Sequence, residues 1–157
     1  MWQSCAAKLS DTEFIILGGY HDRTQALIYN EEQNTWKRLP RLTVRVRGHS
    51  CVGLGDIVLM AGGYSDGDVT GRTVIFDTKT GSAREVASLK YPRAYATMEL
   101  FGDRAVILGG IDGRTGRRTD AEIWNMDTET WEEADIHLNF GRAEFSLMAT
   151  SEEINCE

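Results

Sequence analysis

A chain of 157 residues is long enough for one domain with a sizeable core. Hydrophobic residues make up 41% of it and charged residues 26%, which is ordinary for a globular protein and argues against a disordered one. The net charge of −7 argues against a surface built for nucleic acid, and no apolar run reaches the ~18 residues of a membrane-spanning helix. We therefore expect neither a nucleic-acid partner nor a membrane.

Three apolar runs that each end in two glycines are the first regular feature along the chain. The glycines are Gly18 and Gly19, Gly62 and Gly63, and Gly109 and Gly110. Short aliphatic runs bounded by Gly and Asp predict buried β-strands. We expect the glycines to end these strands where a side chain would clash, or where the backbone needs a positive φ.

Each double glycine is followed by a polar loop and a second apolar run that ends in an aromatic residue. The aromatic residues are Tyr29, Phe76 and Trp124, and the residues seven positions after them are Trp36, Ala83 and Trp131. Large flat side chains at these positions would fill the space between stacked sheets. No segment keeps the 3.6-residue apolar period of a capped helix, so the sequence predicts an all-β protein.

The order of these landmarks resembles the kelch repeat, and the resemblance covers essentially the whole chain. Ala83 departs from the pattern, because a tryptophan is expected there. The resemblance implies a partial kelch-type β-propeller made of four-stranded antiparallel blades. Kelch strands are named a to d from the central channel outward.

The repeat spacing divides the chain into three blades and part of a fourth. Blade 1 covers about 1–42, blade 2 about 43–89 and blade 3 about 90–138, and strands a and b of a fourth blade cover about 139–157. Propellers close with four to eight blades, so we expect an open arc rather than a closed ring. Further blades of a longer chain, or a second copy, would then cover its ends. The longer chain is the favoured alternative.

An arginine precedes strand a of the second, third and fourth blades, at Arg47, Arg93 and Arg142. In kelch domains that act as substrate adaptors, arginines at this place line the pocket and hold acidic peptides. A guanidinium can bind a carboxylate through two parallel hydrogen bonds. The other interpretation, left open here, is that these arginines bind backbone carbonyls of a neighbouring blade.

The loops between strands b and c, at 20–26, 64–72 and 111–121, emerge in a kelch propeller on the same face as the loops before strand a. Further candidates for partner binding there are Arg45, Arg114, Tyr20 and Tyr64. The resemblance thus implies a non-catalytic protein–protein interaction module, such as a scaffold or substrate adaptor, that binds an acidic segment. The alternative is a fragment of a propeller enzyme, such as a sugar epimerase or oxidase.

No catalytic, metal-binding or cofactor-binding pattern stands out. His21, His49 and His137 occupy different parts of their repeats, so we expect no metal and no cofactor. We expect His49, at the start of a strand a, to be a structural residue that is hydrogen-bonded.

The cysteines Cys5, Cys51 and Cys156 fit no metal or redox motif. We expect buried free thiols in strands, and the alternative is one disulfide in an extracellular protein. The chain has no Asn-x-Ser/Thr acceptor site for glycosylation, which favours a cytoplasmic location.

Overall fold

The structure is a computed structural model and describes residues 3–114 and 116–146. Blade 1 consists of β1 (Cys5–Lys8), β2 (Glu13–Leu17), β3 (Ala26–Asn30) and β4 (Thr35–Arg38). Blade 2 consists of β5 (Ser50–Leu54), β6 (Ile57–Ala61), the short hairpin of β7 (Tyr64–Ser65) and β8 (Asp68–Val69), then β9 (Thr73–Asp77) and β10 (Ala83–Val86). Blade 3 consists of β11 (Thr97–Phe101), β12 (Arg104–Leu108), β13 (Asp120–Asn125) and β14 (Thr130–His137).

Each blade is a four-stranded antiparallel sheet in which neighbouring strands follow one another along the chain, apart from the β7–β8 hairpin between β6 and β9. The three sheets form an open arc, so the prediction of an all-β, partial propeller is confirmed. The blade boundaries stay a prediction. Residues 139–146 carry no strand, and the rest of the predicted fourth blade, 147–157 with Cys156, lies outside the described residues.

The seven-residue spacing is the register of the hairpin between strands c and d. Tyr29 lies opposite Trp36, Phe76 opposite Ala83, and Trp124 opposite Trp131. Residues directly opposite on antiparallel strands present their side chains on the same face. The ring centroids of Trp124 and Trp131 accordingly lie 5.2 Å apart.

The core lies between blades, because alternate residues of each strand face opposite neighbours. Ile15 and Leu17 of blade 1 belong to one buried cluster with Val58 and Met60 of blade 2. Leu59 and other blade 2 residues belong to a second cluster with Ile107, Trp124 and Trp131 of blade 3. We call the face of a blade on the side of the preceding blade its incoming face, and the face on the side of the following blade its outgoing face. Blade 2 packs on a neighbour through both faces.

The incoming face of blade 1 has no neighbouring blade among the described residues. Phe14 and Ile16 are half-buried there, whereas their equivalents in blade 3, Ala105 and Ile107, are buried. Trp36 is 51% exposed, whereas its equivalent Trp131 is 9% exposed and donates through Nε1 to the Thr73 hydroxyl at 2.9 Å. The same repeat position therefore changes from core to surface where no blade covers it.

One backbone position in every repeat joins each blade to the next at the start of strand a. The residues there are Gln3, Gly48, Tyr95 and Glu144, with φ values of 62°, 61°, 56° and 57°. The N–H of each later residue donates to the carbonyl of the earlier one, at 2.8, 2.8 and 2.9 Å. We call this row of hydrogen bonds the mouth ladder.

The inner strands β1 and β5 of blades 1 and 2 are joined by a disulfide between Cys5 and Cys51. The prediction of free thiols is wrong for this pair, and its alternative of one disulfide applies. The strands come close because Gly53 has no side chain: a Cβ there would overlap the carbonyl oxygen of Lys8. With the two Cα atoms 5.8 Å apart, a disulfide fits.

Replacing Gly62 by alanine should destabilise the protein strongly. The φ of Gly62 is +72°, and a Cβ would overlap the carbonyl oxygen of Arg93 in the next blade. Gly55→Ala is the matched control, because Gly55 has a φ of +68° with nothing within 4 Å of an added Cβ. In urea unfolding, the free energy of unfolding should fall by about 1–2 kcal/mol for the control, because of backbone strain alone. It should fall clearly more for Gly62→Ala. Equal losses would contradict the steric role of the double glycine.

Candidate functional site

The three arginines before strand a do not occupy equivalent positions. The second glycine of each pair donates its N–H to the residue two positions before the mouth ladder. The acceptors are the carbonyls of Val46, Arg93 and Arg142, at 3.2, 2.8 and 2.7 Å. The prediction that Arg47, Arg93 and Arg142 recur at one place is therefore wrong, because Arg47 lies one residue later in its repeat.

A register signal for this difference was present in the sequence. A hydroxyl residue stands two positions after the mouth ladder, at Ser50, Thr97 and Ser146. Arg93 precedes its hydroxyl residue by four positions, whereas Arg47 precedes its own by three.

Arg93 is completely buried inside blade 3. Its guanidinium donates to the backbone carbonyls of Gly109 and Asp120, at 3.1 and 2.9 Å. It also binds the carboxylates of Asp120 and Glu122, at 2.7 and 2.9 Å. With a side-chain exposure of 0%, Arg93 has no surface to offer a partner, so its predicted role in direct binding is wrong. Arginine contacts to backbone carbonyls were the alternative, although these carbonyls belong to its own blade.

Glu122 is the residue that sequence reasoning missed. It is buried in strand c and also accepts hydrogen bonds from the backbone N–H groups of Lys90 and Tyr91. In blade 2 the equivalents of Arg93 and Glu122 are Val46 and Val74, which belong to one apolar cluster. A glutamate between Ala121 and Ile123 in strand c was the available signal, because a buried carboxylate needs a charged or hydrogen-bonding partner.

Arg47 lies just before β5, among three aromatic rings. Its guanidinium carbon is 4.4 Å from the centroid of the Tyr64 ring and 5.8 Å from that of Tyr20. Nη1 donates to the side-chain oxygen of Gln3 at 3.0 Å and lies 3.5 Å from the Tyr95 hydroxyl. Among the described residues no carboxylate forms an ion pair with Arg47. We call Gln3, Tyr20, Arg47, Tyr64 and Tyr95 the mouth cluster.

Three blades contribute to the mouth cluster, and the mouth ladder positions two of its members. Gln3 and Tyr95 are ladder residues, and the amide of Gln3 donates to the Tyr95 hydroxyl at 2.7 Å. The pKa of Tyr95 lies above its usual value, because burial and the neighbouring Tyr64 and Glu144 disfavour the phenolate more than Arg47 favours it. Tyr95 thus stays neutral and keeps a hydroxyl proton to donate.

The other predicted arginines are separate from this cluster. Arg45, Arg114 and Arg142 are exposed in the loops before strand a or between strands b and c. Tyr20 is 46% exposed at the edge of the cluster, and Tyr64 is half-buried beneath Arg47. Of the seven predicted partner-binding residues, the structure brings Arg47, Tyr20 and Tyr64 together.

His49 is buried but is not hydrogen-bonded. Neither ring nitrogen has a partner within the described residues, so the expectation of a hydrogen-bonded structural histidine is wrong. The residue lies against the double-glycine positions Gly18 and Gly63, where an added Cβ would approach it within 3 Å. Burial lowers the pKa of His49 from 6.5 to about 4, so the imidazole is neutral at pH 7.

The comparisons with known proteins agree with this geometry. The family model described as Kelch motif matches residues 92–135, which contain most of blade 3. Curated relatives carry kelch in their names, including Kelch-like protein 41b of Danio rerio, 25% identical over 107 residues. The chain therefore contains a kelch motif and is similar to kelch-repeat proteins. An F-box/kelch-repeat protein of Arabidopsis thaliana is 37% identical over 62 residues.

The match covers only part of the kelch relatives. The match to Kelch-like protein 41b covers 68% of this chain and 18% of that protein. The match to the F-box/kelch-repeat protein covers 40% of this chain and 16% of that protein. The solved structure of YjhT has the same fold, with a TM-score of 0.79 and 12% identity, over 90% of this chain and 53% of that chain.

Two features are absent from the described part of the chain. Within residues 3–114 and 116–146, no group of three or more His, Cys, Asp or Glu side chains could hold a metal ion. The same part of the chain contains no helix that is long and apolar enough to cross a membrane.

Acidification should destabilise the folded protein through His49. Its pKa is 6.5 in the unfolded state and about 4 in the folded state, so the unfolded state binds more protons between these values. The free energy of unfolding should therefore fall by about 3 kcal/mol as the pH drops through this window. Urea unfolding at a series of pH values measures the slope.

His49→Leu should remove this slope between pH 6.5 and 4.5, whereas His137→Leu, a change at an exposed histidine, should leave it. Some carboxylates, such as Asp77 and Glu129, have a pKa that is lowered by hydrogen bonds or ion pairs. Their contribution to the free energy of unfolding is lost only below about pH 4.5. An unchanged slope in His49→Leu would contradict the assignment.

Proposed function

We propose that this kelch module binds a protein partner without catalysis, and that Arg47 binds a carboxylate of an acidic segment of that partner. The observation that carries the proposal is the setting of Arg47: a guanidinium held against tyrosine rings just before β5, with no carboxylate partner among the described residues. The kelch-named relatives support an interaction module in general terms.

The mouth cluster prepares Arg47 for this role in two ways. The Tyr64 ring at 4.4 Å fixes the plane of the guanidinium, which reduces the entropy lost on binding. Nη1 is occupied by Gln3, and the remaining N–H groups can bind a carboxylate. The Tyr95 hydroxyl, 3.5 Å from Nη1, can donate to the second oxygen of the same carboxylate or to a neighbouring one.

Charge supports an acidic partner at this face. The chain carries a net charge of −7, so an acidic segment needs a locally positive face to bind. Arg45, Arg114 and Arg142 are exposed in loops that kelch propellers place on the mouth face. We propose that these three arginines supply a local positive field, which speeds association more than it adds affinity.

Replacing Arg47 by alanine should weaken the binding of an acidic peptide by about ten- to a hundredfold, the usual value of a charge-assisted hydrogen bond. The probe is a fluorescein-labelled Glu-rich peptide, measured by fluorescence anisotropy beside the same peptide with Gln at every Glu. Lys37→Ala is the matched control, because it removes one positive charge from the exposed outer strand β4.

Two further variants separate geometry from charge. Arg47→Lys keeps the charge but loses the planar fork, so it should bind with intermediate affinity. Tyr64→Leu should weaken binding while the charge stays unchanged. If Arg47→Ala and Lys37→Ala have the same effect, or if the Gln peptide binds as well as the Glu peptide, then Arg47 is not the carboxylate site.

We propose in addition that another blade covers the incoming face of blade 1, either from further blades of a longer chain or from a second copy. Trp36, Phe14 and Ile16 occupy positions that the neighbouring blade buries in blades 2 and 3, apart from Ala83 at the tryptophan position of blade 2. At the other end of the arc, Phe101 and Ile136 are 47% and 43% exposed. The match covers 53% of the solved YjhT chain, so nearly half of that chain lies outside it.

The 157-residue chain alone should self-associate through these faces, as measured by analytical ultracentrifugation. Trp36→Lys should shift it towards the monomer, because a charge would be buried in the contact. Met126→Lys, at an exposed methionine of blade 3 outside that face, should not. A stable monomer of the unchanged chain would count against both ways of covering the face.

A further inference from the structure

The Cys5–Cys51 disulfide lies directly behind the mouth cluster. Cys5 is two residues after Gln3, and Cys51 is four residues after Arg47. The bond therefore joins the two segments whose side chains meet in the hydrogen bond between Arg47 Nη1 and the Gln3 side-chain oxygen, at 3.0 Å. A backbone hydrogen bond joins the same two segments: the N–H of Gly48 donates to the carbonyl of Gln3 at 2.8 Å.

Among the described residues, strand β1 has a neighbouring blade on one side only. Its four residues pair with β2 inside blade 1, but towards blade 2 it has no ladder of strand hydrogen bonds and packs on β5. The incoming face of blade 1 is also uncovered in the described part of the chain, so nothing there holds the blade from its other side. The disulfide, the Gly48 hydrogen bond and packing connect β1 to β5.

Both cysteines are largely buried, but Cys51 borders an open cleft. Cys5 and Cys51 are 8% and 7% exposed. Cys51 also lines a cleft of about 550 Å³ between the inner strands of the three blades, together with Gly53 and Met98. A dithiol reductant can approach from this cleft, whereas a disulfide in the middle of a closed core could not be reached without unfolding.

We infer that the Cys5–Cys51 disulfide is a redox control of the mouth cluster: the oxidised form holds Gln3 against Arg47, and reduction releases it. This inference rests on the proposed function of Arg47. In the reaction, a thiolate of the dithiol attacks one protein sulfur and releases the other cysteine as a thiolate. The second thiolate of the dithiol then attacks the reductant sulfur of the mixed disulfide, which releases the remaining cysteine and leaves the dithiol as a cyclic disulfide. The protein gains two electrons and two protons as two thiols.

Release of Gln3 removes one hydrogen bond that orients Arg47 and lets the guanidinium sample other rotamers. Binding of a carboxylate must then fix these rotamers again, so affinity falls while the charge of the site is unchanged. We expect reduction to weaken binding of the Glu-rich peptide by about tenfold, the usual value of one hydrogen bond to a charged group.

The experiment uses the full chain with Cys156→Ser, so that the third cysteine cannot exchange with the other two. Thiol titration under denaturing conditions first checks the bond, with no reactive thiol expected before reduction and two after it. Peptide affinity and amide hydrogen exchange are then measured with and without a dithiol reductant. A Cys5→Ser and Cys51→Ser double change in the same background is the control and should resemble the reduced form under both conditions.

Hydrogen exchange gives a readout that does not depend on the peptide. The amide of Gly48, which donates to Gln3, should exchange at least about tenfold faster after reduction. The amide of Gly63, which donates to Arg93 between blades 2 and 3, should keep its protection. This pair of amides separates a local release of β1 from a loss of the whole fold.

The outcomes are distinguishable. Faster exchange at Gly48 with weaker peptide binding supports the inference. Unchanged exchange and affinity, a loss of protection at Gly63 as well, or reactive thiols before reduction overturns it. If the oxidised protein does not bind the peptide but Gly48 still exchanges faster after reduction, the proposed function fails and the coupling of the disulfide to the mouth stands.

Discussion

The mouth ladder is the constraint on which the rest of the structure depends. One residue per repeat takes a positive φ and donates its N–H to the equivalent residue of the repeat before it. This fixes where each strand a begins, and therefore which side chains face the channel and which face the next blade. The ladder tolerates Gln3, Gly48, Tyr95 and Glu144, because it uses backbone atoms and leaves the side chain variable. The ladder therefore does not specify which side chain stands at this position.

Two blades fill the space beside this ladder in different ways. Blade 3 uses the buried pair of Arg93 and Glu122, whereas blade 2 uses Val46 and Val74. Buried ion pairs and well-packed apolar pairs can be close in net stability, but removing one charged partner costs about 3–5 kcal/mol. The choice has a consequence for function. Beside the apolar pair, Arg47 in the next position is half-buried and packs on tyrosine rings instead of forming a buried ion pair.

The disulfide bears on the compartment in which the protein works. Persistent disulfides belong to oxidising compartments, while thiols in the cytoplasm are kept reduced. The Cys5–Cys51 bond therefore supports the extracellular alternative, or a protein that meets both conditions. The proposed redox control requires a protein that meets both oxidising and reducing conditions. The cytoplasmic location expected from the sequence stays a prediction.

The repeat landmarks determined the fold, because double glycines and aromatic pairs seven residues apart are local backbone and register requirements that any reader of the sequence can see. The tertiary structure decided which side chains are buried and which partners they contact. Arg47 and Arg93 look alike beside their strands, but a shift of one residue places one among tyrosines and the other on Glu122. Cys5 and Cys51 pair, and His49 lies unpartnered among the described residues, because inner strands and glycines from different blades approach there. Contacts between residues about 45 positions apart leave no local pattern in the sequence. The sequence alone could therefore name the candidate residues, but not tell which of them are exposed, paired or buried.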